Sequence, residues 1–440
     1  MGLVMRVSHL VIVAVLSSLL LCLTSCSESK LAPMASETPL TPMVEIAEGA
    51  FVDLLVEEHP VTNAQFRNFV ISSPSWLRSK AAAVLVGENY LQHWLGDFEY
   101  PEGSANSPVT NVSWFAAREY ARWAGRRLAT QDEWESLALA SETAADGSQE
   151  KRYQKTILDW YQRQIPEIPT AVRLAKPNYY QLFDMHGLIW EWVDDFNKPS
   201  TLMAEYGQTS DVTKLFCGDV EIADSDSNDV ASFRLSFRNS FIANQSYPNI
   251  GFRCVADEYV ADCCLPLEPS SATADLPNES IYLTDGLWRD QSGVERALSD
   301  FVGEVVVAVM IFTHCEHACP RTMRDLKEIE KEIPSEQLGE VRWLLISMDS
   351  ERDTPEVLQA YAETNNLDTS RWTLLHGDDF AVRGIAAALG VRYKKGTKGN
   401  FAHSNIVTTL DSAGRIAHQL VGLGTESSPT VAAIKAECAK

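Results

Sequence analysis

Two cysteines in the second half of the chain, Cys315 and Cys319, have the residue type and spacing for sulfur chemistry. They follow an apolar, β-prone run over 305–312, and Pro320 stands at a position that suits the first turn of a helix. The partial positive charge of a helix N-terminus favours thiolate over thiol, and the thiolate is both the nucleophile and the metal ligand. The pair therefore indicates either thiol–disulfide exchange or the binding of a soft metal ion.

The elements that must position this pair alternate between strands and helices from about Ile281 onward. Strands are expected at 305–312, 341–348 and 372–375, with helices near 320–333, 355–365 and 380–389. A hairpin is expected over 405–417, with its turn at 411–414. Such alternation predicts a mostly parallel sheet with helices on its faces, the α/β arrangement of thioredoxin-like folds.

Composition and charge narrow the classes of function. Of 440 residues, 45% are apolar and 22% are charged, which is ordinary for globular protein and argues against extensive disorder. The length allows two or three domains. A formal net charge of −23 repels phosphate backbones, so we do not expect nucleic acid as a partner.

The N-terminus has the pattern of a secretory signal. Arg6 precedes an apolar stretch, and Leu23-Thr-Ser-Cys26 follows it like the lipobox of bacterial lipoproteins. This predicts a signal peptide over 1–25, lipidation of Cys26 and a flexible tether over 26–42. A transmembrane anchor is the alternative, but the run is shorter than the ~20 apolar residues of a span. Because Ser27 rather than Asp follows the lipidated cysteine, we expect a lipoprotein of the outer membrane, facing the periplasm or the cell exterior.

Composition then divides the rest of the chain into two domains. Residues 43–256 are rich in tryptophan, tyrosine and phenylalanine and show no regular strand–helix alternation. Residues 257–280 form a linker by composition, 281–425 form the α/β domain, and 426–440 form a C-terminal tail.

Three motifs of the second domain occur in a specific order. They are Cys315-Glu-His-Ala-Cys-Pro320, Ile346-Ser-Met-Asp-Ser-Glu-Arg-Asp-Thr-Pro355 and Phe401-Ala-His-Ser404. This domain resembles the Sco/SenC family, thioredoxin-fold proteins that bind copper and assist assembly of the copper centre of terminal oxidases. Carried over residue by residue, the resemblance implies copper binding by Cys315, Cys319 and His403. Thiolates select Cu(I) and imidazole suits Cu(II), so this ligand set can hold copper in both oxidation states.

Other polar residues of these motifs are candidates for accessory roles. The family has an acid near the site at the position of Asp349, for which loop polarity or support of the next helix is the alternative. Asp353 precedes Thr-Pro and is expected to cap that helix rather than to bind metal. His314 and His317 flank the cysteines as spare ligands or as solvated loop residues. Cys438 is expected to be a free thiol.

The first domain carries motifs of a second family. They are Pro60-Val-Thr-Asn-Ala-Gln-Phe66, Pro108-Val-Thr-Asn-Val-Ser-Trp114, Ala124-Gly-Arg-Arg-Leu-Ala-Thr130, Leu182-Phe-Asp-Met-His-Gly187 with Trp190-Glu-Trp192, and Asn249-Ile-Gly-Phe-Arg253. They resemble the formylglycine-generating enzyme (sulfatase-modifying factor) family. The resemblance implies a mixed α+β, C-type-lectin-like fold in which buried tryptophans, glycine turns and Arg/Glu pairs hold irregular backbone.

Catalysis in that family depends on two nearby cysteines that bind Cu(I), and this chain departs from the pattern. Cys217 occupies the approximate place of the pair, but the following segment 234–241 contains no cysteine. The asparagine after His-Gly that the family associates with calcium is Leu188 here, which argues against calcium in this domain. We therefore expect a non-catalytic domain.

The remaining cysteines leave several interpretations open. In an oxidising compartment, Cys217 and Cys254 would form a structural disulfide, or they would form a second copper site that passes metal to the other half. The adjacent Cys263 and Cys264 form a soft-metal pair or a vicinal disulfide, or have no role. Nine cysteines minus one in the signal peptide and one that carries lipid leaves seven, an odd number that does not define the pairing.

The function we expect is that of a membrane-tethered copper chaperone or thiol-redox factor. It would assemble the copper centre of a respiratory client of the cytochrome oxidase or nitrous oxide reductase type, with the first domain docking that client. One alternative is a thiol–disulfide oxidoreductase that uses Cys315 and Cys319 as a redox pair and carries no copper. A second is an oxygen-dependent enzyme of the formylglycine-generating type, acting through the first domain. A scaffold that binds partners through both domains is the least specific.

Overall fold

The computed structural model describes residues 38–161, 163, 166–197, 216–217, 234, 237–257, 275–284, 286–315, 319–396 and 399–440, which all lie within one compact unit. The predicted signal peptide, Cys26, Cys263, Cys264 and His317 lie outside these ranges. None of the helices within them is both long enough and apolar enough to cross a bilayer.

Short elements joined by long irregular segments make up the first half. The strands are β1 (Met43–Glu45), β2 (Leu55–Glu57), β3 (Arg127–Leu128), β4 (Trp190–Glu191), β5 (Phe216–Cys217), β6 (Ile250–Gly251) and β7 (Cys254–Ala256). The helices are α1 (Asn63–Ser72), α2 (Trp114–Trp123), α3 (Gln131–Ala138) and α4 (Lys151–Tyr161). An antiparallel sheet has the order β1-β2-β7-β3, and β4 pairs with β6 in parallel. The prediction of a mixed α+β first domain is confirmed.

Two helices of the first half have N-cap residues whose side chains bond to the first turn. Thr62 before α1 and Thr130 before α3 each accept a hydrogen bond from the backbone N–H three residues later. The side chains of Gln65 and Glu133 in turn accept a hydrogen bond from the backbone N–H of the cap residue. Both helices therefore start with a complete capping box. Two otherwise unpaired donors are thereby satisfied at each helix start.

A buried polar network holds the irregular backbone between these helices. The Glu191 carboxylate accepts from Arg253 Nε at 2.9 Å and from Trp134 Nε1 at 2.6 Å, and Glu191 and Arg253 are each about 1% exposed. Arg253 Nη2 also donates to the Phe183 carbonyl at 2.8 Å, and Trp192 Nε1 donates to a carbonyl of the segment before α2. These contacts confirm the prediction that Arg/Glu pairs and buried tryptophans hold this scaffold together.

Position 251 must be glycine because the backbone of Val109 lies too close to leave room for a side chain. A Cβ at this position would lie 2.3 Å from the Val109 carbonyl oxygen, a backbone atom that cannot turn aside. The glycine of the Asn249-Ile-Gly-Phe-Arg253 motif therefore serves packing.

A seven-stranded sheet forms the centre of the second half. Its strands are β8 (Trp288–Asp290), β9 (Glu295–Arg296), β10 (Val305–Ile311), β11 (Val341–Ser347), β12 (Trp372–Gly377), β15 (Ile406–Leu410) and β16 (Ile416–Val421). The order is β16-β15-β10-β11-β12-β8-β9, in which β10, β11 and β12 are parallel and the flanking pairings are antiparallel. All seven residues of β10 are buried, as a continuous apolar run predicts for a strand covered on both faces.

Helices connect and cover this sheet. They are α5 (Cys319–Lys331), α6 (Pro355–Thr364), α7 (Asp379–Ala388) and α8 (Ser428–Cys438). The predicted strands, helices and hairpin of this α/β domain are all present, with ends within two residues for the strands and helices that were given bounds. The tail expected over 426–440 is instead largely α8, because Val431 and Ile434 are buried in the hydrophobic core of this half.

A small three-stranded sheet joins the two halves. It has the order β13 (Tyr393–Lys395), β14 (Phe401–Ser404) and β5, all antiparallel. Strand β14 lies in the middle, with His403 opposite Tyr393 on one side and opposite Cys217 on the other. A strand of the first half therefore covers the edge of the strand that carries the predicted copper histidine.

Candidate metal centre

The cysteine pair lies where β10 passes into α5. Cys319 is the first residue of α5 and is buried, whereas Cys315 is half-buried and packs against the core. The two sulfurs are not joined in a disulfide, and the Cys319 backbone N–H donates to Cys315 Sγ at 3.4 Å. A donor at a helix N-terminus stabilises negative charge on sulfur, which is the form that binds metal or attacks a disulfide.

A fully buried carboxylate fixes the chain just before this pair. Asp353 is 0% exposed and accepts from the Thr313 backbone N–H at 2.9 Å and from Ser347 Oγ at 2.6 Å. The Thr313 hydroxyl donates to the other carboxylate oxygen. Asp353 was expected to cap α6, and that prediction is wrong, since Thr354 is the cap residue and Asp353 bridges β10 to β11.

His403, the predicted copper histidine, lies on β14. Its side chain is buried, and the ring centroid lies 6.0 Å from that of Phe312, which ends the run leading to the cysteines. Nδ1 lies 3.1 Å from the Ser404 carbonyl oxygen, which can only accept, so Nδ1 carries the proton and Nε2 presents a lone pair. Nε2 is buried, with no hydrogen-bond partner among the described residues. Buried polar atoms without partners are rare, and coordination of a metal ion would satisfy this one.

The three predicted ligands lie on neighbouring elements but do not converge on one point. Within the described ranges, one set of three metal-binding side chains has all its ligand atoms within 4.8 Å of one another, namely His314, Asp349 and Asp353. Cys315, Cys319 and His403 do not form such a set, so the binding of a shared ion requires them to approach one another. Sulfur and imidazole ligands nevertheless suit copper by their chemistry.

The set that does converge includes two of the predicted accessory residues. Asp349 is 1% exposed and accepts from the backbone N–H of Arg352 at 3.2 Å and from its guanidinium. His314 is about half exposed, and its Nδ1 lies 3.6 Å from Asp353. Both carboxylates are already engaged in hydrogen bonds, and carboxylate oxygens suit hard cations rather than Cu(I).

Tyr361 on α6 is a neighbour of the thiols that sequence reasoning missed. Burial raises the pKa of the Tyr361 phenol, and the negative charge of Cys319 and Cys315 raises it further. The phenol therefore stays protonated beside the cysteines. No sequence motif includes Tyr361, and its contact with the thiols depends on how α6 packs against the sheet.

Cys254 differs from both interpretations proposed for it. The structure holds it as a free thiol on β7, 0% exposed, with its backbone N–H donating to the buried Glu57 carboxylate at 2.7 Å. Burial and the negative charge of Glu57 raise the pKa of the Cys254 thiol well above its usual value, which makes it unreactive. The predicted disulfide with Cys217 is absent because Cys217 lies on β5, which pairs with β14 of the other half, while β7 pairs with β2 and β3.

Comparison with known protein families gives one match in each half of the chain. Residues 36–258 match the model of the sulfatase-modifying factor enzyme 1-like domain, which is half of the chain, and residues 287–438 match the SCO1/SenC model. The chain belongs to the sulfatase-modifying-factor family through its first half, and its second half carries the match to the SCO1/SenC family. The C-terminal half is thus a SCO1/SenC domain of thioredoxin-like fold, and the N-terminal half is a sulfatase-modifying-factor domain.

Individual relatives match one domain each. The formylglycine-generating enzyme of Streptomyces coelicolor is 32% identical over 173 residues, which cover 35% of this chain and 54% of that protein. The SCO1 protein homolog of Bacillus subtilis is 30% identical over 106 residues, or 23% of this chain and 54% of that protein. The chain thus spans about half the length of these curated relatives. The solved structure of Bradyrhizobium japonicum ScoI with copper bound is 22% identical and covers 34% of this chain and 96% of its own, with a TM-score of 0.31.

Proposed function

We propose that this protein is an extracytoplasmic copper chaperone and thiol-redox factor that assembles the copper centre of a respiratory enzyme. The observation that carries the proposal is the buried His403 Nε2, whose lone pair has no partner in the described part of the chain. This nitrogen lies in a SCO1/SenC domain that also carries a cysteine pair at the start of α5. Clients with thiolate-bridged copper, of the cytochrome oxidase or nitrous oxide reductase type, are the substrates.

Copper is the cargo of this site. Cys315 and Cys319 hold Cu(I) through sulfur, and His403 supplies the imidazole that suits Cu(II). The hydrogen bonds of Asp353 to Thr313 and Ser347 keep the backbone of the cysteine turn in place while the ligands exchange. Exchange with a client's disulfide would convert the two thiols into a disulfide, reduce the client's two cysteines and release the metal, so the same pair links copper loading to the redox state of the client.

The sulfatase-modifying-factor domain serves as a non-catalytic docking module. The unreactive, buried Cys254 and the lack of cysteine in 234–241 support this role, because oxidation of a substrate cysteine in that family requires two thiolate copper ligands. A lipid on Cys26 would tether both domains to a membrane outside the cytoplasm, and Ser27 favours the outer membrane. Release of the protein from membranes by Cys26→Ala would test the tether.

Copper transfer tests the proposal against the thiol oxidoreductase alternative. The reduced, copper-loaded full chain is mixed with the apo form of a thiolate-bridged copper domain, and copper is followed by absorption of the client. We expect transfer by wild type and by Cys438→Ser, and none by Cys315→Ser or His403→Ala. If His403→Ala supports client metallation as well as wild type after reducing the client's disulfide, the protein acts through its thiols alone. If wild type neither transfers copper nor reduces the client, the proposal is wrong.

A further inference from the structure

The loop that follows β16 covers the cysteine pair from one side. Leu423 in this loop is 8% exposed, and its side chain packs against Cys315. Gly422 and Gly424 flank it with φ angles of 95° and 62°, a backbone conformation that glycine adopts without strain and that lets the chain turn sharply here. The loop over 422–424 therefore lies directly beside the sulfur of Cys315.

An arginine of α5 is held against the same loop. The Arg321 guanidinium lies so close to Gly424 that a Cβ at this glycine would overlap it. The Gly424 backbone N–H also donates to the Asp325 carboxylate at 3.2 Å, which ties the loop to α5 one turn further along the helix. Because Leu423 touches Cys315 and the next residue touches Arg321, the guanidinium lies on the same side of the molecule as the sulfur.

Arg321 and Arg324 form an exposed cationic pair near the thiols. They are three residues apart in the first two turns of α5, so they share one face of the helix. Both side chains are exposed, and within the described ranges neither takes part in an ion pair. By contrast, Arg342, Arg352 and Arg371 of the same domain each pair with a carboxylate.

Helix stability does not account for this arginine pair. The first turn of α5, Cys-Pro-Arg-Thr, contains no acidic residue to compensate the positive end of the helix dipole. Two guanidinium groups in the first two turns add like charge to that end, which is unfavourable for the helix. An unpaired positive face is thus kept beside the cysteines of a chain whose formal net charge is −23.

The first half of the chain covers the other part of the site, the strand that carries His403. Strand β5 pairs along the edge of β14, and Arg392, just before β13, donates to the Asn239 carbonyl at 3.2 Å. Asp194 of the first half pairs with Arg383 of α7 at 2.8 Å. The face of α5 that carries the arginine pair stays exposed beside this covered region, so it is open to a partner protein.

We propose that Arg321 and Arg324 form the docking surface for an acidic patch that surrounds the copper-binding thiols of the client protein. The inference rests on the proposed function and adds the chemistry by which the client is recognised. A chain of net charge −23 repels an acidic protein at long range, whereas a local positive face attracts its carboxylates and orients them. In this orientation the client's sulfurs face Cys315, the half-buried cysteine of the pair.

The test measures how fast the full, reduced, copper-loaded chain passes Cu(I) to one probe, at low and at physiological salt. The probe is the apo form of a soluble, thiolate-bridged copper domain with carboxylates around its metal-binding thiols. Arg321→Glu and Arg324→Glu are compared with Lys331→Glu, which makes the same charge change in the last turn of α5, about 15 Å along the helix from Arg321. We expect each arginine variant to slow association about tenfold at low salt and to weaken its salt dependence, and the control to do neither.

A charge swap separates docking from an effect on the thiols. A client whose carboxylates are replaced by lysine should take copper slowly from wild type and faster from the double variant Arg321→Glu, Arg324→Glu. The Cu(I) affinity of the variants, measured in competition with a chromophoric chelator, should match that of wild type. If Cu(I) binding weakens as much as transfer slows and the swapped client restores nothing, the arginines act on the thiolates and docking is refuted.

The remaining outcomes distinguish this inference from the proposed function. If wild type transfers copper and both arginine variants do so at the same rate and with the same salt dependence, the proposed function stands and the docking surface is refuted. If wild type neither binds nor metallates the client, both are wrong. Self-association of wild type that is lost in the arginine variants, measured by sedimentation, would assign the surface to a second copy and overturn the client assignment. Equal thermal unfolding midpoints exclude misfolding as the cause.

Discussion

Removing the buried carboxylate of Asp353 should destabilise the SCO1/SenC domain more than any exposed acidic substitution. Asp353 is 0% exposed and accepts three hydrogen bonds, two from Thr313 and one from Ser347. Asp353→Ala leaves these donors without an acceptor, and each unsatisfied buried donor costs about 1–3 kcal/mol. Because the Thr313 and Ser347 hydroxyls can partly turn away, we expect a loss of about 3–5 kcal/mol of unfolding free energy.

Asp353→Asn separates charge from hydrogen bonding. The amide keeps one acceptor oxygen and is easier to bury, but its bonds lose the extra strength of an ionised acceptor, about 1 kcal/mol each. We therefore expect a loss of about 1–3 kcal/mol. The control is Glu328→Gln on α5, whose exposed carboxylate pairs with Lys331 at 2.7 Å and which should change stability by about 0.5 kcal/mol or less.

Urea unfolding followed by circular dichroism measures these losses. Amide hydrogen exchange of peptides over 305–315 localises them, because the Thr313 N–H loses its acceptor. Faster exchange there, in the order Ala, then Asn, then wild type, is the expected result. If Asp353→Ala loses no more unfolding free energy than Glu328→Gln, the hydrogen bonds of Asp353 do not stabilise the cysteine turn and the reasoning is refuted.

Three further predictions concern the sulfatase-modifying-factor domain. Gly251→Ala should lower stability by about 1–3 kcal/mol, since its Cβ would meet a backbone carbonyl oxygen at 2.3 Å, and thermal unfolding would show it. Glu191→Ala should cost about 3–5 kcal/mol in urea unfolding, because it leaves the buried Arg253 guanidinium without its counter-ion. Burial lowers the pKa of His186 from 6.5 to about 4, so the unfolded chain binds this proton more readily than the folded one. Stability should fall by up to about 3 kcal/mol as the pH drops from about 6.5 to 4, and His186→Gln should flatten that decline in the unfolding midpoint.

Each of these has a control and a result against it. Gly339→Ala places its Cβ in open space, so equal midpoints for the two glycine variants would contradict the close approach at Gly251. Adding Arg253→Ala to Glu191→Ala should cost less than the two single losses together, and simple additivity would argue against a coupled pair. If the stability of His186→Gln falls between pH 6.5 and 4 as much as that of wild type, groups other than His186 cause the decline.

The sequence predicted the second half well where the signal was local. The run at 305–312 is apolar throughout and precedes a cysteine–proline helix start, so β10 and α5 follow from pattern and propensity alone. Helix α8 was missed because 426–440 is rich in small and charged residues. Val431 and Ile434, three residues apart, were the available signal for a buried helix face.

The contacts around the site depend on tertiary structure and left no such signal. Cys217 lies far from His403 in the chain. Strand β5 has only two residues, and so short a stretch has no pattern that predicts which strand it pairs with. An oxidising compartment favoured a disulfide between Cys217 and Cys254, whereas the fold buries the Cys254 thiol beside Glu57. A short strand that pairs across domains can be found only by assembling the fold.

The most direct test of the central claim is the copper stoichiometry and affinity of the full, reduced chain beside Cys315→Ser, Cys319→Ser and His403→Ala. We predict one tightly bound Cu(I) per chain in wild type and weaker binding in all three variants. The His403→Ala loss should be larger for Cu(II) than for Cu(I), because imidazole suits the oxidised ion. A wild-type chain that binds no copper, or a His403→Ala chain that binds both oxidation states like wild type, would contradict the account.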